Sequence, residues 1–471
     1  MDFENANDLL QSIMNEGNVA QGKAMKLIFT TKNHIFITGR GGTGKTFFLK
    51  RILPFLGSVS IVAPTGIAAL NAGGSTIHSY FGFNLDPYIP EIKNGKLWNH
   101  ESSWVNPEKI KMIKSLDTLV IDEISMVRAD LLDRIGDILR KVRKNNKPFG
   151  GVRLLMFGDL SQLPPIVNDD IFFNYYDSRY FFSSKSLMLA GYNVCYFEKN
   201  YRQKDEKFIN ILDNIRFNSL TKSDIDTLND RVYVPSDDIG CISIVPTNQK
   251  AASINTNKLN MIPNESVIFN SLIIGTPPKE SPCEQILELK IGSQVMITRN
   301  GSNYVNGSVG HVVGFEKSEN DDSDIICILV KLSSNGEIVK IHQATWNNIK
   351  YVDMGGVVGK VELGSITQFP IKLGWAISVH KSQGLSLDNA YIDTSRSFES
   401  GQVYTAMSRC RTLEGLYLMN KIDKKDIMVD DNISNYYNKM KKNDYVFDPV
   451  PISDIMNKKD DCLIDFEKYG L

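Results

Sequence analysis

Apolar positions along the chain fall into two textures. Up to about Lys199, short blocks that are apolar at nearly every position alternate with stretches whose apolar residues recur every three or four. The blocks His34–Thr38, Ser58–Ala63, Thr118–Ile121, Val152–Phe157 and Val194–Phe197 predict buried strands. Lys45–Leu56 and Asp130–Asn145 carry the helical spacing between them. Strands alternating with helices predict a parallel sheet covered on both faces. Phe83–Pro107, with Pro87, Pro90 and Gly95, breaks the rhythm and reads as an insertion.

From about Lys290 to Phe369 the runs Gln294–Arg299, Val309–Glu316, Ile325–Leu332 and Glu337–Trp346 are short and β-rich. Asn300-Gly301, Asn306-Gly307 and Asn335-Gly336 punctuate them, and Asn-Gly favours tight hairpins because both residues tolerate positive φ. This predicts a small β-module. Ile242–Pro246 before it, and Ala390–Asp393 and Gly415–Met419 after it, read as a second α/β domain that the module interrupts. The chain after Lys421 is mixed in charge and reads as a mostly helical tail.

The 471 residues are 42% hydrophobic and 23% charged, a balance that excludes a disordered or collagen-like chain. Cys195, Cys241, Cys283, Cys327, Cys410 and Cys462 lack the spacing of a zinc ribbon or redox dithiol and read as reduced thiols. The start, Met1-Asp2-Phe3-Glu4-Asn5, has no apolar signal core, and no run has the length of a membrane span. A cytoplasmic protein without a membrane partner is the expectation. Lys+Arg 53 against Asp+Glu 54 leaves a net charge of −1, which alone argues against a strongly basic nucleic-acid binder.

Candidate chemistry changes that picture. Gly39-Arg40-Gly41-Gly42-Thr43-Gly44-Lys45-Thr46 has the form G-x-x-x-x-G-K-[ST] between a strand block and a helix. Gly39, Gly41, Gly42, Thr43 and Gly44 would cradle phosphates with backbone N–H groups at a helix N-terminus. Lys45 would neutralise the β- and γ-phosphates, and the Thr46 hydroxyl would join a Mg2+ shell. Downstream, Leu119-Val120-Ile121 delivers Asp122 and Glu123 at a strand's C-terminal end. Asp122 is placed to hold Mg2+ through water, and Glu123 to orient and deprotonate an attacking water. Together these predict ATP hydrolysis. Asn420-Lys421-Ile422-Asp423 imitates the guanine-reading N-K-x-D, but without the remaining GTPase context.

Three later segments offer groups that sense a γ-phosphate. Gly158–Pro165 brings Gln162 to a strand end, Asn200–Gln203 brings Arg202, and Tyr404–Arg411 brings Arg409 on a predicted helix. Each alone is as readily a turn or a surface ion-pair residue. In order, however, Gly39–Thr46, Ala63–Ala69, Ile121–Ser125, Gly158–Pro165, Asn200–Gln203, Val379–Gly384 and Tyr404–Arg411 follow the motifs of superfamily-one helicases. The chain resembles the Pif-type DNA helicases of the RecD-like branch. Two segments favour that family: Asp130–Ile135 with its basic continuation to Arg143, and Gly158–Pro165. The resemblance runs from about Ala20 to Met419.

The resemblance implies an α/β fold of two RecA-like P-loop domains, with ATP in their cleft and single-stranded DNA across their top. A small wedge would be inserted in the first domain and an SH3-like β insertion in the second. The expected limits are 1–199 with the wedge at about 83–107, then 200–289 with 370–430, the insertion at 290–369, and a tail at 431–471. Gln21 resembles the adenine-reading glutamine, and Lys45, Thr46, Asp122, Glu123, Gln162, Arg202 and Arg409 match ATP-site residues. Pro64, Thr65, His78, His380, Lys381 and Ser382 lie in motifs that touch DNA. The family moves 5′→3′, and implies single-stranded and forked duplex DNA as partners, a monomeric enzyme, and roles in repair, recombination and telomere maintenance. G-quadruplexes and RNA–DNA hybrids are further candidate substrates. The short flanks suggest a bacterial or mobile-element enzyme.

Local chemistry adds Phe81 and Phe83 as faces on which a base would stack, with core packing an equal alternative. Arg140, Lys141, Arg143, Lys144 and Lys147 form a basic block that is either a DNA track or a solvated helix face. A translocating motor releases its strand every cycle, so near-zero net charge is compatible with a locally basic, salt-sensitive track. The competing expectation is an ATP-gated DNA-binding or loading switch that does not unwind.

Overall fold

The five early apolar blocks lie side by side in one sheet. In space the order is Val446–Phe447, Tyr192–Phe197, Ile35–Gly39, Arg153–Gly158, Thr118–Ile121, Val59–Ala63 and Ser75–Thr76. Neighbours are parallel except Val446–Phe447, which pairs antiparallel with Tyr192 and Asn193. The computed structural model describes residues 6–83, 88, 91–93, 96–98, 107–167, 170–235, 240–278, 283–304, 306–317, 325–353, 358–395 and 399–450. Ile35–Gly39, Thr118–Ile121 and Arg153–Gly158 are buried at every position, as a parallel sheet with two covered faces requires. Strand alternation splits their side chains. Phe36, Leu119, Leu154 and Met156 meet Leu132, Ile135 and Leu139 of the helix Ala129–Arg143. Ile35, Ile37, Val120 and Leu155 meet Phe48 and Leu49 of the helix Lys45–Ile52 and Met25 and Ile28 of Val19–Thr30. Lys45–Ile52 gives way early to a 3-10 turn at Leu53–Phe55, because Pro54 has no N–H to continue it.

A second parallel sheet follows, ordered Ala376–Ser378, Ile242–Val245, Ala390–Ile392 and Leu416–Leu418. Its core joins Ile242, Ile244, Ile392 and Leu416 to Phe208, Ile211 and Ile215 of the helix Glu206–Arg216 and to Val403 and Met407 of the helix Gln402–Met407. Between its strands the chain builds a five-stranded antiparallel sheet, ordered Ile338–His342, Ile325–Leu332, Val309–Lys317, Gln294–Ile297 and Ile371–Leu373. Glu337–Trp346, predicted as one strand, is two. His342 and Gln343 are both exposed, which breaks the in–out alternation, and Ala344–Asp353 leaves to pair with Val358–Gln368 in a separate three-stranded sheet. That strand runs alongside the helix Pro107–Ser115 of the first body. Asn335-Gly336 turns the expected hairpin. Asn300-Gly301 and Asn306-Gly307 instead share one longer loop between Gln294–Ile297 and Val309–Lys317.

The segment read as a tail is helical over Asp431–Lys442, as expected, but it is part of the first body. The helix Asp431–Lys442 buries Ile433, Tyr436, Tyr437 and Met440 in the first body's core, and Val446–Phe447 extends its sheet. Its apolar spacing is that of a core helix, so the chain returns from the second sheet to the first. Residues 451–471, with Cys462, lie outside the described residues; the other five cysteines are free thiols. Of the insertion read at Phe83–Pro107, residues 84–87, 89–90, 94–95 and 99–106 also lie outside. Its described part includes a two-stranded pairing of Glu91–Lys93 with Lys96–Trp98. Tyr88 at its base donates from its N–H to Asp130 at 2.8 Å and from its hydroxyl to Asp137 at 2.5 Å, both on the helix Ala129–Arg143.

Candidate functional site

Parallel sheets expose their strands' C-terminal ends, and five of the motifs collect there on the first sheet. Ile35–Gly39 runs into the glycine-rich loop. Gly42 (φ +87) and Gly44 (φ +79) take left-handed backbone, where a side chain is strained, and a Cβ on Gly42 would come 2.5 Å from Arg202 Cβ. Gly44 is the N-cap of Lys45–Ile52, so the first N–H groups of that helix have no intrahelical acceptor. Lys45 Nζ donates to the carbonyls of Gly39 and Arg40 at 2.8 and 2.9 Å. Burial depresses its pKa, against the pull of Asp159 and Glu123. Thr46 is half-buried in the first turn.

Thr118–Ile121 brings two carboxylates beside that loop. Asp122 is buried, and its Oδ1 accepts the Glu123 N–H at 3.0 Å. Glu123 sits at φ +50, ψ +45, a left-handed conformation that costs a non-glycine residue about 1–2 kcal/mol. Burial pushes both carboxyl pKa values up; Glu123 adds to the rise at Asp122, while Lys45 and Arg409 restrain that of Glu123. Two adjacent carboxylates whose charged forms burial disfavours suit a divalent metal. Among the described residues no three His, Cys, Asp or Glu form a cage, so such a metal would complete its shell with water and phosphate oxygens, as Mg2+ does.

Arg202, just after the strand Tyr192–Phe197, and Arg409, just after the helix Gln402–Met407, both reach the loop. Arg202 Nη1 and Arg409 Nη2 each lie 3.4 Å from the point where a side chain on Gly41 would begin. Arg409 is buried, and donates to the Thr405 carbonyl at 2.8 Å and Ser408 Oγ at 2.7 Å. Arg202 Nη1 donates to the Ser408 carbonyl at 3.0 Å. Neither guanidinium has a carboxylate within ion-pair distance among the described residues. Burial, and then Arg409, push the Arg202 pKa down to about 9; burial also lowers that of Arg409. Asn200–Gln203 is docked on the second body, with Gln203 Nε2 donating to the Ser408 and Cys410 carbonyls at 3.1 and 2.8 Å.

Two glutamines complete this cluster. Gln162 Nε2 donates to Asp159 at 3.3 Å, while its Oε1 is buried with no partner among the described residues. Gln21 Nε2 lies 3.5 Å from where a Cβ on Gly44 would sit, with the Tyr201 ring 3.4 Å from the same point. Gln21 Oε1 is likewise buried and has no partner among the described residues.

Sequence reasoning missed a polar ring around the loop. Arg40 pairs with Asp213 at 2.7 Å, Asp213 lies 3.5 Å from Arg216, and Arg216 pairs with Asp159 at 3.3 Å. Tyr404 donates to Asp159 at 2.8 Å and accepts the Gly41 N–H at 3.2 Å, which closes the ring. Burial alone would raise the Asp159 pKa, but Arg216, Lys45 and the Tyr404 hydroxyl hold it below the usual carboxylate range. Asp159 and Tyr404 lie inside quoted motifs, so the signal was there. Asp213 and Arg216 sit on Glu206–Arg216 with no motif around them.

The DNA-facing candidates divide. His78 and His380 are half-buried and Lys381 is exposed; burial lowers the His380 pKa, against Glu399. Pro64 and Thr65 are half-buried, and Thr65 Oγ1 caps the helix Gly66–Ala72 by accepting the Ala68 N–H at 3.3 Å. A Cβ on Gly384 would lie 3.6 Å from Asn71 Nδ2, so the Val379–Gly384 segment faces the end of that helix.

Phe81 and Phe83 are corrected: both are buried in the first core, their rings stacked at 5.2 Å, with the Arg134 guanidinium 4.2 Å over Phe83. Apolar aromatics beside a core take the burial, so neither is a stacking face for a base. Ser382 is also corrected, because its side chain is buried and its hydroxyl donates to the Val379 carbonyl at 2.7 Å. In the basic block, Arg143 donates to the Ile113, Lys114, Leu116 and Gly150 carbonyls, and buried Arg140 pairs with Asp137. Arg143 thus satisfies carbonyls at the C-terminal end of the helix Pro107–Ser115, and Arg140 pairs within its own helix. Asp423, from the N-K-x-D imitation, caps the 3-10 turn Lys424–Asp426.

Comparison with known proteins places this geometry. A family model described as PIF1-like helicase matches residues 16–224. The human ATP-dependent DNA helicase PIF1 is 34% identical over 86% of this chain and 60% of its own length. The Psychrobacter Pif1 enzyme is 30% identical over 86% of this chain and 68% of its own. The chain thus spans under two thirds of the length of the human relative. The crystal structure of Bacteroides Pif1 with ADP-AlF4 superposes with a TM-score of 0.83 at 36% identity, covering 91% of this chain and 97% of that one. The same Bacteroides protein bound to single-stranded DNA gives a TM-score of 0.64 over 91% and 97%. These likenesses span both parallel sheets, which are the two RecA-like domains of that fold, and the chain belongs to the PIF1-like helicase family.

Proposed function

We propose that this chain is an ATP-driven motor that moves 5′→3′ along single-stranded DNA and unwinds duplex at forks. The observation that carries the reading is the pair of guanidinia, buried Arg409 and half-buried Arg202, facing the phosphate loop with no carboxylate within ion-pair distance among the described residues. Two desolvated cations held 3.4 Å from one loop point are unfavourable unless an anion balances them. A nucleotide γ-phosphate supplies that charge, and Arg409 supplies it with a contact from the second body. Domain closure and hydrolysis are thereby coupled.

The residues divide the work. The backbone N–H groups of Gly41, Gly42, Thr43 and Gly44 bind the phosphate chain with Lys45, and Gln21 Oε1 accepts from the adenine amino group. Thr46 and Asp122 would hold Mg2+, which would supply positive charge to offset that of the phosphates. Glu123, with its pKa raised by burial, accepts the proton of the attacking water, and Gln162 orients that water. Arg202 and Arg409 stabilise charge on the transferring phosphoryl group. Pro64, Thr65, His78, His380 and Lys381 form the strand-facing shelf, which Phe81, Phe83 and the Ser382 hydroxyl do not join. The segment at 83–107 is the proposed wedge, and the antiparallel strands within 290–369 the SH3-like insertion. Single-stranded and forked DNA are the proposed substrates, with G-quadruplexes and RNA–DNA hybrids as further ones for a monomeric, cytoplasmic enzyme.

Strand displacement on forked duplexes with tails of either polarity tests this. Displacement from the 5′-tailed fork with ATP, lost in Lys45→Ala, is expected. ATP-dependent binding without displacement would leave the gated switch as the correct reading.

A further inference from the structure

The ring around the phosphate loop contains a residue that the motor reading leaves idle. Tyr404 is fully enclosed, and its hydroxyl makes two bonds of opposite sense: it donates its one proton to Asp159 and accepts the Gly41 N–H. Asp159 is fixed as an acceptor by its ion pair with Arg216. The Tyr404 oxygen therefore offers lone pairs, not a proton, to the loop. Gly41 N–H is one of the donors that would cradle a phosphate, and a single N–H proton serves one strong acceptor at a time. An anionic phosphate oxygen outcompetes a neutral hydroxyl for it.

Tyr404 also sits where such a competition has consequences. It lies on Gln402–Met407, and Arg409 at the end of that helix donates to the Thr405 carbonyl one residue beyond Tyr404. The next turn, Ser408, is held by both Arg202 and Gln203. A change at the Tyr404 hydroxyl is thus transmitted to the helix end that carries Arg409.

We propose that Tyr404 is a nucleotide-sensing positioning residue: its hydroxyl latches the Gly41 N–H until a phosphate oxygen takes that donor, and release lets the helix carry Arg409 onto the transferring phosphoryl group. This rests on the ATP-hydrolysis reading above. It differs from a packing role because the hydroxyl, not the ring, does the sensing.

Tyr404→Phe keeps the ring and removes the competitor. Loss of one hydrogen bond that opposes binding should tighten ATP affinity about fivefold. The kcat of DNA-stimulated hydrolysis should not fall with it, because Arg409 is no longer held back from the transferring phosphoryl group. A merely structural tyrosine would shift the melting temperature and leave KM and kcat moving together or not at all, and either pattern overturns the proposal. A measurement on the unmodified chain guards against a misfolded variant. Hydrogen exchange across Gln402–Met407 should rise on adding ADP with aluminium fluoride, and unchanged exchange overturns the latch. Wild-type turnover separates the two levels: no hydrolysis by the wild type defeats the motor reading, whereas normal wild-type hydrolysis with an indistinguishable Tyr404→Phe defeats only the latch.

Discussion

The nucleotide cleft and the strand-facing shelf come from the same ordered motifs, yet the structure treats them differently. In the cleft, Lys45, Asp122, Glu123, Gln162, Arg202 and Arg409 gather around one loop, several of them desolvated or buried. On the shelf, His78, His380 and Lys381 keep some exposure, while Phe81, Phe83 and Ser382 are lost to the interior. The cleft is set by backbone: strand ends and a glycine loop fix where side chains start, and short reach does the rest. The shelf depends on which side chain of a short helix turns outward, and that is decided by packing against elements distant in sequence.

The sharpest break in this comparison is a charge removed from the cleft. Arg409→Ala should lower DNA-stimulated kcat by about 10³-fold or more while leaving nucleotide binding nearly intact, as read from steady-state turnover beside fluorescent-nucleotide titration. Unchanged turnover would remove the guanidinium from phosphoryl transfer. Next comes the shelf's misread aromatic. Phe81→Ala should cost about 3–5 kcal/mol of stability by chemical denaturation, since it vacates a site packed against Phe83 and Tyr80. A stable variant with weakened strand binding would restore Phe81 to the DNA face.

These outcomes mirror what the sequence made legible. The strand blocks, the phosphate loop and the acidic pair were readable because each is a local pattern with a local cause: burial on both faces, N–H groups at a helix start, carboxylates at a strand end. The docking of the helix Asp431–Lys442 was not, because its partners Phe36, Tyr192 and Tyr180 lie hundreds of residues upstream and only the folded core shows what its tyrosines meet. Arg216 escaped for a related reason. One arginine on an amphipathic helix carries no signal until Asp159, Tyr196 and Tyr437 are seen to surround it. Exposure of Phe81, Phe83 and Ser382 failed similarly, since single sequences record residue type but not which face is covered.

A smaller test bears on Ser382. Its hydroxyl satisfies the Val379 carbonyl within one turn, so Ser382→Ala should cost about 1 kcal/mol of stability and alter strand affinity only through that loss. A large affinity defect in a fully folded variant, measured by fluorescence anisotropy, would return the hydroxyl to the shelf.

The smallest expected effect is also the most discriminating for how the shelf holds a strand. Lys381 is exposed beside half-buried His380, on the segment that faces Asn71 across the cleft. If its ammonium neutralises one backbone phosphate, Lys381→Ala should weaken single-strand binding about threefold, uniformly across sequences. The log–log dependence of affinity on salt should also become shallower by about 0.7, the counterion release of one phosphate contact on a single strand. The two readouts separate charge from shape. A threefold loss with an unchanged slope would mean that Lys381 acts through its aliphatic stem or through His380. With net charge at −1, the molecule has no global basic field to mask the loss of one cation. A change of slope at this single position would therefore locate the track on the Val379–Gly384 side of the cleft, away from the basic helix whose arginines are already committed to Asp137 and the Ile113–Leu116 carbonyls.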